Sequence, residues 1–188
     1  LALGTQRFGA VLGELSGAIR FYAAKKLKVK LAIALGIIAA LGSIVGVTIV
    51  IHINENLLNV VIGCMLLILA FILFYKDSLG IKAHTLTRKH YLLLFLCTFP
   101  LGIYGGFFGV GFGVFIAMLL VLFGFSFIES AAMGRVVGFL MSVISTIVFI
   151  QHGLVNYTYG ITLGLGFATG AWIGITIALK KEERYIKY

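Results

Sequence analysis

Six apolar runs divide the chain, and polar or basic stretches separate them. Five have the length of one membrane crossing, which takes about 20 helical residues. They are Leu1 to Ala24, Leu31 to Ile51, Leu57 to Tyr75, Ile128 to Ile150 and Tyr157 to Leu179. The first is weaker and amphipathic, because it carries Arg7, Glu14 and Arg20. The sixth, Tyr91 to Phe125, is too long for one crossing. It contains Pro100 and six glycines between Gly102 and Gly113. That pattern predicts two shorter helical pieces meeting at an unwound joint. Within a membrane, unwound backbone persists only where protein buries it or water lines it, and transporters place substrates at such breaks.

Composition makes lipid the solvent. Of 188 residues, 61% are hydrophobic and 11% are charged, against roughly 25% charged in soluble domains. The runs are continuous rather than alternating, which argues against a β-barrel. The predicted fold is therefore an all-α polytopic membrane protein. It has about seven membrane segments, one pair of them a broken, re-entrant hairpin.

The net charge of +9 reads as topology rather than as nucleic-acid binding. Lys25, Lys26, Lys28 and Lys30 mark one loop as cytoplasmic. Lys76, Lys82, Arg88 and Lys89 mark a second, and Lys180, Lys181, Arg184 and Lys187 mark the C-terminus. Asn54–Asn56 and Gln151–Gly153 carry no lysine or arginine and read as external. The chain is thus inside at Lys89 and inside again after Lys180, with two crossings after Phe125. The stretch Tyr91 to Phe125 must then return to the side it entered from, which favours a hairpin over a single span.

Shifted by 128 positions, the chain resembles itself without a gap. Arg7 falls on Arg135, Leu12 on Leu140, and Leu35-Gly36 on Leu163-Gly164. Gly42, Gly46 and Thr48 fall on Gly170, Gly174 and Thr176. Glycines four apart let helices pack closely in lipid. One copy covers residues 1–51, and the other, Ile128 to Leu179, extends to 91–179 with its broken hairpin. The span 57–75 and the basic loop 76–90 connect them, and a basic tail, 180–188, follows. One crossing between the copies inverts the second relative to the first, a transporter architecture. By this symmetry a hairpin of roughly 30 to 40 residues is expected before Leu1, matched to the length of the one present.

Several motifs carry a family resemblance. Gly105-Gly-Phe-Phe-Gly-Val-Gly-Phe-Gly113 resembles the glycine signature of the TauE/SafE sulfite exporter family. Ala2-Leu3-Gly4-Thr5 and Ala132-Met133-Gly134-Arg135 are similar to its two segments that follow the glycine loops. His152-Gly-Leu-Val-Asn156 resembles its turn before the last helix. The chain departs from the pattern at Phe112, where a glycine is usual, at Met118, where proline is common, and at Arg135, where threonine is frequent. Registering the two similar segments needs a shift of 130, which pairs Thr5 with Arg135. The resemblance implies transport of sulfite, sulfonates or other organic anions.

An intramembrane charge costs at least about 2.5–3.5 kcal/mol on insertion scales and usually has a role. Arg7 and Arg135 read as guanidinium ligands for an anion, with two donors matching two oxygens. The competing readings are an interfacial, snorkelling Arg135 and an ion pair of Arg7 with Glu14, seven residues on. Arg20 reads as topological, and Glu129 as a carboxylate complementing a helix N-terminus. Gly109, Gly111 and Gly113 offer backbone N–H groups at a helix start, a nest that holds anions without a side chain. The competing reading is tight helix packing. With Thr5 as the register mate of Arg135, these six form the candidate substrate site. Neither a catalytic constellation nor a metal spacing nor a cofactor motif is visible, so an enzyme is not expected. The expected partners are a small anion and the lipid bilayer of the cytoplasmic membrane. The alternative is a membrane subunit whose glycines only pack helices.

Overall fold

The computed structural model describes residues 1–54, 60 and 88–186. Among them the chain forms six helices and no strand. They are α1 Ala2–Ala23, α2 Val29–His52, α3 Arg88–Phe107, α4 Phe112–Leu122, α5 Phe127–Gln151 and α6 Tyr157–Ile186. Four of these, α2, α3, α5 and α6, are long and apolar enough to cross a membrane. The chain is an integral membrane protein. α1 has 22 residues but carries three charges, and α4 has only 11 residues. The expected span Leu57 to Tyr75 lies outside the described residues, apart from Val60.

The long apolar stretch is broken, as its glycines predict, and the break falls at residues 108–111. Pro100 sits inside α3 and does not end it. Gly109 and Gly111 end it instead, with φ of +76° and +75°. Those are left-handed angles that cost other residues about 1–2 kcal/mol. Gly111 then caps α4 from outside, and the chain turns back. Leu94, near the start of α3, shares one buried cluster with Leu120 and Phe125, at the far end of α4. The two pieces are in contact, and the start of one and the end of the other contribute to the same cluster.

The same basic end gathers other elements. Lys28 makes an ion pair with Glu129 at 3.0 Å. It also lies over the Phe125 ring, 4.7 Å from its centroid. Glu129 and Ser126 form a capping box at the start of α5, each side chain accepting from the other's backbone N–H at 3.2 Å. The expectation that Glu129 complements a helix N-terminus is met there. At the opposite end, Val47, Val50, Phe107, Phe108 and Phe149 form a second cluster.

Close helix contacts follow the glycines. α1 packs on α6 and α5, while α2 packs on α5 and α3. A Cβ on Gly42 or Gly46 of α2 would strike carbonyls of Phe99 or Ile103 in α3. Among the described residues, a Cβ on Gly170 or Gly174 of α6 would meet nothing within 4 Å. α6 accordingly keeps only 11% of its apolar window buried, against 50% for α2.

Candidate functional site

α1 carries the site's charges because its glycines let it lie deep. Gly9 faces Gly160 and Gly164 of α6, Gly13 faces Phe167, and Gly17 faces Arg135 and Ile175. With its small face pressed against α6 and α5, α1 brings Arg7 inward. Arg7 is only 3% exposed.

The Arg7 guanidinium lies against Gly109, in space that a Cβ there would occupy. Its Nη2 is buried and has no hydrogen-bond partner among the described residues. An unpaired buried donor costs about 1–3 kcal/mol, and more when it is charged. Such an atom is unexpected unless something else satisfies it. Tyr104 braces the joint beside it, its hydroxyl donating to the Val110 carbonyl at 2.6 Å. Tyr104 is in turn packed edge-on against Phe115, with ring centroids 5.3 Å apart. Within the joint, the Phe112 N–H donates to the Gly109 carbonyl at 3.3 Å. The Gly111 cap supplies no side-chain acceptor to the first turn of α4. A cationic group, left-handed glycines and a helix N-terminus thus converge, each favouring negative charge.

Arg135 lies elsewhere on the same seam. Its Nη1 donates to Glu14 Oε2 at 3.2 Å. The expected alternative partner of Glu14 was Arg7. Two turns of helix separate those residues by about 10.5 Å of rise, whereas Arg135 reaches across from α5 directly. Arg135 is 38% exposed at its side chain and Glu14 24%. Gly138 leaves the room Glu14 needs, since a Cβ there would sit 3.1 Å from its carboxyl carbon.

The remaining candidates divide. Gly111 belongs to the joint with Gly109. Gly113 is exposed, and a Cβ there would meet nothing within 4 Å among the described residues. Thr5 is buried, but its hydroxyl donates to the Leu1 carbonyl and accepts from the Asn156 N–H, both at 2.9 Å. It ties α1 to the start of α6. Arg20 donates from Nε to Thr176 at 2.9 Å and sits 5.9 Å from the Trp172 ring centroid. Sequence reasoning missed two residues, Tyr104 as the brace of the joint and Glu14 as the partner of Arg135. Tyr104 had a visible signal, a lone hydroxyl inside the glycine run. No group of three or more metal-ligating side chains occurs among the described residues.

Comparison with known proteins gives a consistent answer. A probable membrane transporter protein of Haemophilus influenzae is 27% identical over 189 residues, covering 100% of this chain and 74% of that protein. The probable membrane transporter protein YdhB of Bacillus subtilis is 28% identical, over 92% of this chain and 72% of its own length. The probable membrane transporter protein YfcA of Escherichia coli K12 is 26% identical, over 99% and 70%. No solved structure matches. The family description sulfite exporter TauE/SafE matches residues 1–188, and the chain therefore belongs to that family of membrane transporters.

Proposed function

We propose that the protein carries small sulfur-containing or organic anions, such as sulfite or sulfonates, across the cytoplasmic membrane by alternating access. One observation carries the reading: Arg7, buried, with its Nη2 unpartnered among the described residues, pressed against the left-handed joint at Gly109. An anion seated there would accept from the guanidinium and from backbone N–H groups at Gly111 and Gly113. Arg135 adds positive charge from α5, and Thr5 fixes the depth of α1 at its far end. The family name and the relatives' names support a transporter rather than a packing subunit.

Helix order supports inverted repeats. α2 begins at Val29 and α6 at Tyr157, and 157 − 29 = 128, the shift of the internal repeat. Under that correspondence, the packing of α1 on α6 becomes the packing of α5 on α2, and both pairs are in contact. Rocking one copy against the other would open the seam between α1 and α5 to each side in turn. The lysines between Lys25 and Lys30, with Lys180 and Lys181, favour a cytoplasmic basic end and a cytoplasmic C-terminus. An inside-negative potential would then favour export, by about 2.3 kcal/mol per charge per 100 mV.

The test is flux of radiolabelled sulfite and methanesulfonate into proteoliposomes. Saturable flux that Arg7→Gln abolishes is expected. Absence of saturable flux for every small anion overturns the proposal.

A further inference from the structure

Among the described residues, the α1–α5 seam holds three charged side chains: Arg7, Glu14 and Arg135. Arg7 faces the glycine joint. Glu14 follows it on the same face of α1, at i+7, and Arg135 closes on Glu14 at 3.2 Å. Arg20, the next charge on α1, is turned away toward Thr176 and Trp172. The charges in the seam sum to +1 − 1 + 1 = +1. Glu14 holds Arg135, so one guanidinium rather than two is left for a ligand. Arg7 is buried, and although solvent partly screens Glu14 and Arg135, a net charge beside Arg7 favours a ligand that neutralises it. A monovalent anion brings the seam to zero, and a divalent anion brings it to −1.

We infer that Glu14 sets the charge preference of the Arg7 seat, favouring monovalent oxyanions (hydrogensulfite or a sulfonate) over divalent ones. The inference rests on the anion seat proposed above. Glu14 is a specificity-determining residue that acts through the field it places on the seat and through its hold on Arg135. Roughly 10 Å separates a residue at i+7 from the seat. At that distance and an effective dielectric of about 20, one unit charge changes monoanion affinity by about tenfold. A dianion feels it twice, for about a hundredfold. The ratio between the two anions therefore moves by about tenfold per charge.

Methanesulfonate and sulfate hold charges of −1 and −2 at neutral pH and serve as probes. Full-length protein in proteoliposomes would be assayed for saturable flux of each, at one pH. The native protein is expected to favour methanesulfonate. Glu14→Gln raises the seam to +2 and should move the ratio about tenfold toward sulfate. Arg135→Gln lowers it to zero and should move the ratio the other way by a similar factor. The Glu14→Gln, Arg135→Gln double variant returns the seam to +1 and should restore the native ratio, which also serves if Glu14→Gln alone does not assemble. A lesion that only loosens the fold would lower both fluxes and leave their ratio unchanged. An unchanged ratio in the single variants overturns the inference while leaving the seat intact. Flux of both anions untouched by Arg7→Gln overturns the seat itself, and the inference with it.

Discussion

Arg7 and Gly109 occupy complementary space: the guanidinium of one lies where a Cβ on the other would project. The pair joins α1 to the break between α3 and α4. It explains why residue 109 is glycine twice over. Its φ of +76° is left-handed, and its missing side chain is the pocket for the arginine.

Gly109→Ala should therefore lose anion flux at least tenfold and lower the thermal unfolding temperature. The left-handed angle alone costs an alanine about 1–2 kcal/mol, and displacement of Arg7 adds to it. Gly113→Ala is the control. It lies in α4 with no described residue within 4 Å of a Cβ, and alanine is about 0.8–1 kcal/mol better than glycine within a helix. Its unfolding temperature should hold or rise, and because its N–H is retained, so should its flux. Equal losses at both positions would contradict the complementarity of Arg7 and Gly109.

Removing Arg135 leaves Glu14 without its partner. A fully buried pair broken in this way costs about 3–5 kcal/mol. Here the side chains are 38% and 24% exposed, so solvent screens part of the loss. Arg135→Ala is expected to destabilise by about 1–2 kcal/mol, read from thermal unfolding in detergent. Adding Glu14→Gln should recover part of that loss, because no unpaired charge remains. Additive losses in the double variant would show that the two groups are not coupled.

Much of this architecture was legible because polar residues punctuate apolar runs. The expected span Leu31 to Ile51 is helix Val29–His52, and Ile128 to Ile150 is Phe127–Gln151. The break in the long run was legible from its glycines, though Pro100 was a weaker marker than Gly109 and Gly111. A proline within a membrane helix has neighbours to satisfy the freed carbonyl, whereas two left-handed angles cannot continue a helix. The Glu14–Arg135 pair was not legible. Its members are 121 residues apart, and nothing local to Glu14 distinguishes a partner on α5 from one on its own helix. Thr5 shows the same limit. Its hydroxyl is taken up by Leu1 and Asn156, a contact that no motif announces.

Phe112 stands where the family resemblance leads one to expect glycine, and its surroundings explain the ring. It is 3% exposed and lies in the cluster that includes Ile116, Leu120 and Met141. Gly105 makes the space, since a Cβ there would sit 2.8 Å from the Phe112 ring. Phe112→Ala should cost about 3–5 kcal/mol, the range for a large core aromatic, with unfolding temperature as the measure. Phe112→Leu should cost less than half of that, because a branched aliphatic refills most of the volume. Tolerance of alanine would mean that the ring is not part of the core.

The proposed repeat makes a sharper test, because one substitution should change sign between two positions that correspond at the 128-residue shift. Gly46 and Gly174 correspond at the shift of 128, as do Gly42 and Gly170. On α2 the α3 backbone closes over Gly46, and a Cβ there would meet the Ile103 carbonyl and lie 2.6 Å from the Phe107 nitrogen. Backbone packed in a helix cannot step aside as a flexible side chain can, so Gly46→Ala should cost about 1–3 kcal/mol through overpacking. On α6 no described residue lies within 4 Å of a Cβ on Gly170 or Gly174. Gly174→Ala should leave stability unchanged or raise it by up to about 1 kcal/mol, the helix propensity difference. Thermal unfolding of the two variants in one detergent gives the comparison directly. A loss at residue 174 equal to that at 46 would mean that α6 is covered as closely as α2, although no described residue approaches Gly174.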